Sequence, residues 1–169
     1  MFSGHPSIRA GLVRRVALLV VAFALAGVTA WAGDVNPLVA NVQSILGDLR
    51  TKLEIPNSVS VRIVDHDEAL VSVRRSTSDP DGFELRLESA FLRKLNSHEL
   101  RAVIAHELGH VWIFTHWPYL QTERLANRIA CRAVDRSLLL EVYDKVNEYR
   151  KERNLGTLPL ATRVDAAVP

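Results

Sequence analysis

The pentapeptide His106-Glu107-Leu108-Gly109-His110 constrains this chain more than any other feature, because it sits inside the most apolar helix predicted after residue 32. Leu100, Val103, Ile104, Leu108, Val111 and Phe114 surround most of the circumference of a helix expected from His98 to about Thr115, with Asn96-Ser97 as its N-cap. Such a helix has to be buried. Two imidazoles and a carboxylate buried without partners cost several kcal/mol, roughly 2 or more for each polar group. The spacing i, i+4 sets both imidazoles on one face, about 6 Å apart at their Cβ atoms, where both can reach one ion. Glu107 lies about 100° further round the helix, near the open position of such an ion and able to take a proton from a water.

The chain has one cysteine, which excludes an internal disulfide and a four-cysteine zinc ribbon. A metal must then be held by carboxylates and by some of the six histidines, His5, His66, His98, His106, His110 and His116. One Zn2+ per chain suits two neutral imidazoles and a carboxylate. Two residues compete as third ligand. His116 follows His110 at the six-residue spacing of the metzincin signature, but Ile113 stands where that signature needs a helix-breaking glycine, and the only methionine, Met1, cannot supply a Met-turn. Glu123 heads a helix expected from Thr122, and positions 123, 126, 127, 130 and 134 share one face that reads Glu, Ala, Asn, Ala, Val. Small residues there allow close approach to the metal helix, and an ion removes the cost of burying the carboxylate. Asn127, one turn on, is placed to hold a ligand histidine through its other ring nitrogen. His116 and Tyr119 lie in the intervening loop, where either is a candidate donor to an oxyanion or an ordinary loop residue.

Residues 96–111 (NSHELRAVIAHELGHV), followed by Glu123-Arg124-Leu125-Ala126-Asn127, resemble the HExxH…ExxA[D/N] pattern of gluzincin metallopeptidases. The first segment is most similar to HtpX-like peptidases, and the ending to ImmA/IrrE-type peptidases. The resemblance covers roughly residues 58–138 and implies a mini-gluzincin core with His106, His110 and Glu123 as zinc ligands and Glu107 as catalytic base. It implies a peptide or protein substrate hydrolysed by a metal-activated water. It also makes Phe83–Glu88 the sheet edge above the cleft. The rival reading is a zinc-binding scaffold that recognises a protein partner without cleaving it.

The rest of the chain reads as an α+β domain over residues 33–156, a small three-stranded sheet packed on the HExxH helix and the glutamate-bearing helix, with flanking N- and C-terminal helices. Leu38, Val42, Ile45, Leu49 and Leu53 mark a first helix from Pro37. Strands are expected at Ser58–Asp65, at Ala69–Arg74 as its hairpin partner, and at Phe83–Glu88 after a turn at Asp79-Pro80-Asp81-Gly82. A short helix covers Ser89–Leu95. The helix from Thr122 runs on or restarts through Leu139 to Arg153 until Gly156 ends it, and residues 157–169 form a loose tail. Trp112 and Trp117 are expected to pack, Cys131 to be a small buried hydrophobe, and His66 and His98 to lack partners at ligand spacing.

The first 32 residues read as an export address. Arg9, Arg14 and Arg15 precede the uncharged run Val16–Val28, whose 13 residues suit the core of a secretory signal better than a membrane span. Small-residue sites follow at Val28-Thr29-Ala30 and Ala30-Trp31-Ala32. Left uncleaved, residues 13–31 would anchor the domain to a membrane; either way it is expected to be exported, periplasmic or secreted. Those three arginines also account for the formal charge of +2. Without them acids outnumber bases by one, so the chain has no electrostatic footprint for nucleic acid.

Overall fold

The computed structural model describes residues 37–158. The expected export segment and residues 159–169 of the expected tail lie outside the described residues. The elements run α1 (Pro37–Lys52), β1 (Val59–Val64), β2 (Val71–Arg75), β3 (Phe83–Glu88), α2 (Ser89–Leu92), α3 (Ser97–Thr115), α4 (Glu123–Ala130) and α5 (Arg136–Glu152). The α+β class follows, and the last helix restarts after α4.

Helix α3 occupies the centre and packs on α1, α4, α5 and β2. Its start is held by a reciprocal cap. The Asn96 side-chain oxygen accepts from the backbone N–H groups of His98 and Glu99 at 2.9 Å, and the Glu99 carboxylate accepts from the Asn96 N–H at 2.7 Å. Lys145 of α5 pairs with the same carboxylate at 2.5 Å, which ties α5 to the beginning of α3. Leu100, Ile104, Leu108 and Val111 of α3 join Leu46 and Leu49 of α1, Leu85 and Leu87 of β3, and Leu139 of α5 in one buried cluster.

The sheet order is β1-β3-β2, with β3 parallel to β1 and antiparallel to β2. This corrects two expectations. β1 and β2 do not form a hairpin, and Phe83–Glu88 is the central strand rather than the edge. Alternating hydrophobicity assigns the two faces of a strand but not its neighbours. The contents of β3 explain its place: Phe83, Leu85 and Leu87 are buried on one face, while on the other Glu84 needs a cation from each side. Arg62 of β1 supplies one at 2.9 Å and Arg74 of β2 the other at 2.6 Å. The β1–β2 segment crosses the end of β3, where the Asp67 N–H donates to the Glu88 carboxylate at 3.1 Å and the Glu88 N–H donates to the Leu70 carbonyl at 2.8 Å. β2 is therefore the edge strand beside α3.

Candidate active site

The site is made where α4 crosses α3. Gly109 allows the crossing, because a Cβ there would lie 2.4 Å from the carbonyl oxygen of Ala126. Ala126 and Ala130, both fully buried, form the matching surface on α4. Thr122 caps α4 by accepting from the Leu125 N–H at 3.2 Å. Glu123, the first residue of that helix, is thereby set opposite the two histidines.

The rings of His106 and His110 stand edge to face, 4.9 Å apart. His106 Nε2 is 3.2 Å from one Glu123 carboxylate oxygen and His110 Nε2 is 3.5 Å from the other. One ligand atom from each of the three residues lies within 4.8 Å of the others. The outer ring nitrogens are committed elsewhere. His106 Nδ1 is 2.8 Å from the Asn127 side-chain oxygen, and His110 Nδ1 is 3.1 Å from the Gln121 side-chain oxygen. The orientation of Gln121 is fixed by its amide nitrogen, which donates to the His110 carbonyl at 3.1 Å. Amide oxygens only accept, so both Nδ1 atoms carry the protons and both Nε2 atoms turn toward the carboxylate. Acceptors that face one another have to share a cation. Protons fill that need in part: burial opposes charging His110, but the Glu123 hydrogen bond and the Glu107 charge outweigh it and raise its pKa. Hydrogen bonds from His106 and then His110 hold Glu123 far below the ordinary carboxylate range. A divalent ion that accepts two imidazoles and a carboxylate meets the same need.

Glu107 is buried beside this group. Burial raises its pKa above the usual carboxylate value, against the pull of the neighbouring imidazoles, and a hydrogen bond from the Val73 backbone ties it to β2. A cavity of about 450 Å³ opens here. His106, Glu107, His110 and Glu123 line its polar part, and Val71 of β2 with Leu139, Val142 and Val146 of α5 line its apolar part.

His116 is not brought to the group. Helix α3 continues unbroken to Thr115, so the residue that caps it, six positions beyond His110, lies about 120° round the axis from that histidine. Its ring stacks on Trp112 at 3.8 Å, and its Nδ1 is 2.7 Å from the Trp112 carbonyl oxygen. Tyr119 is 54% exposed and packs at 5.5 Å from Trp112, and it does not line the cavity that holds the histidines. Trp117 is exposed rather than packed, and Cys131 is exposed rather than buried, because it caps the end of α4. His66 joins no metal-ligand group among the described residues, and its Nδ1 lies 2.8 Å from the Arg153 guanidinium. Two site residues escape sequence reasoning. Gln121 lies in an aperiodic link, and Tyr143, whose hydroxyl donates to the Asn127 side-chain oxygen at 3.1 Å, comes from α5 and reads there as a core aromatic. Its ring is 5.8 Å from that of His106.

Comparison with known proteins adds a family to this geometry. The sequence model of Peptidase family M48 matches residues 40–149, well over half of the chain. No curated protein sequence matches it. Among solved structures, the metallopeptidase zymogen of Pyrococcus abyssi abylysin is similar at a TM-score of 0.48 and 18% identity, over 69% of this chain and 99% of that one. With the family match running from within α1 to within α5, the chain belongs to peptidase family M48 and is a metallopeptidase of the gluzincin type.

Proposed function

We propose that this metallopeptidase uses one zinc ion held by His106, His110 and Glu123 and cleaves peptide bonds within peptide or protein substrates outside the cytoplasm. The observation that carries the reading is the convergence of two Nε2 atoms and a carboxylate whose outer ring nitrogens are already committed to Asn127 and Gln121. A zinc ion there supplies a Lewis acid for the scissile carbonyl and activates a water. Glu107 accepts the proton of that water and passes it to the leaving amine, a role that its raised pKa favours. Asn127 and Gln121 keep the imidazoles oriented. The outer edge of β2 carries the Val73 N–H beside Glu107, so an extended substrate that runs along β2 lies across the site. The basic N-terminus and the apolar run Val16–Val28 support export.

The test compares the full-length wild type with Glu107→Gln and His106→Ala, measuring zinc content and casein turnover. One zinc per chain is expected in the wild type and in Glu107→Gln, with none in His106→Ala. Turnover by Glu107→Gln is expected to fall about 100- to 10,000-fold. Undiminished turnover removes Glu107 from the chemistry. A zinc-loaded wild type that cleaves nothing favours a binding scaffold.

A further inference from the structure

The link between α3 and α4 exposes more apolar surface than its position requires. Trp117 is 90% exposed, Tyr119 54% and Leu120 78%, all within four consecutive residues. Hydrophobic side chains exposed singly need no account, but three within four residues do. Beside it runs a basic stripe. Arg124 and Arg128 lie one turn apart on the exposed side of α4, and Arg132 is exposed in the turn that follows. The two features are continuous, because the Arg132 guanidinium sits 5.9 Å from the Trp112 ring, which in turn packs against Tyr119. Among the described residues no carboxylate pairs with Arg124, Arg128 or Arg132. Glu123, the one acid on α4, is turned inward to the histidines, and the next acid along the chain is the exposed Asp135.

We propose that the 117–120 segment and the Arg124–Arg128–Arg132 stripe form a docking face for a membrane surface rich in anionic phospholipid. Trp117 and Leu120 protrude, so they insert into a partner rather than receive one. Trp and Tyr prefer the headgroup depth, Leu the acyl boundary beneath it, and unpaired arginines the phosphates. One anionic bilayer meets all three demands. Gln121, the next residue along the chain after Leu120, also lines the cavity that holds the histidines. Docking therefore sets the mouth of that cavity close to the lipid surface.

The full-length chain carries its own apolar N-terminal run, so the informative measurement is where the loop sits and not whether vesicles bind. Cys131 is the only cysteine. In a Cys131→Ser background, Leu120→Cys takes a nitroxide label, read by power saturation with oxygen and with a polar nickel chelate. On vesicles of mixed phosphatidylcholine and phosphatidylglycerol the label is expected to gain oxygen access and lose nickel access, with neither change on phosphatidylcholine alone. Adding Arg124→Gln, Arg128→Gln and Arg132→Gln is expected to lower the inserted-to-free ratio about a hundredfold. Zinc content equal to the wild type shows that this variant is folded. Equal accessibility on the two vesicle types overturns the proposal, as does insertion that survives loss of the arginines. Immobilisation by soluble polyglutamate but not by vesicles overturns it in favour of an acidic polypeptide partner.

Discussion

Two glycine-to-alanine substitutions in helices of this protein should have opposite signs. In a helix interior alanine is more favourable than glycine by about 1 kcal/mol. Gly47, on the exposed side of α1, has nothing within 4 Å of the position a Cβ would take, so Gly47→Ala is expected to stabilise the fold by about 0.5–1 kcal/mol. At Gly109 the same Cβ meets the backbone of Ala126, at 2.4 Å from its oxygen and 2.9 Å from its carbonyl carbon and Cα. Ordinary contact begins at 3.4 Å, so α4 must retreat by about 1 Å. Backbone cannot rotate aside, which places the cost near the upper end of the overpacking range, about 3 kcal/mol. Set against the helix-propensity gain, Gly109→Ala should lose about 2 kcal/mol. The retreat also moves Glu123, whose position in a zinc site tolerates only about 0.2 Å of error. Zinc affinity should fall at least tenfold to about a hundredfold. Denaturant unfolding in the presence of a chelator reads the first effect, and competition with a chromogenic zinc chelator reads the second. If Gly109→Ala is as stable as Gly47→Ala and binds zinc as the wild type does, the close crossing of α3 and α4 does not set this site.

The partners of the ring nitrogens should matter unequally. Asn127→Ala and Gln121→Ala are each expected to weaken zinc binding about 10- to 100-fold in the same competition assay. The Asn127 change should be the worse, since that residue is 2% exposed and also accepts from Tyr143. Tyr143→Phe, which removes the hydroxyl alone, should cost about 1 kcal/mol in unfolding and leave zinc affinity within a fewfold of wild type. Acid stability should depend on Glu88. Burial works to raise its pKa, but bonds from Arg153, the Asp67 N–H and Tyr149 win and hold it below 4.5. A depressed folded-state pKa contributes stability that is present above the unfolded value and lost as the pH falls through the folded one. Arg153→Ala should therefore move the acid-unfolding midpoint to higher pH, followed by circular dichroism. An unchanged midpoint would show that the pair contributes nothing.

Local pattern was enough for much of this protein. An i, i+4 histidine pair inside an apolar run has one possible geometry in a helix, so the common face of His106 and His110, the cap at Asn96, and the small-residue face of α4 headed by Glu123 are all legible in the sequence. Each rests on interactions within four residues, where helical periodicity leaves no alternative. Strand pairing was different. Val59, Val61 and Ile63 alternate as clearly as Phe83, Leu85 and Leu87, but only the paired arginines around Glu84 reveal which strand is central, and they come from positions 22 and 10 residues away. The same limit hid Gln121 and Tyr143, whose roles depend on where a link and a distant helix come to rest, and it misplaced Cys131 and Trp117. Gly109 has the plainest physical reason. Its neighbour is the backbone of Ala126 rather than a side chain, and a contact between two main chains leaves no hydrophobic or charge pattern in either segment; only the packed helices show why that position has no side chain.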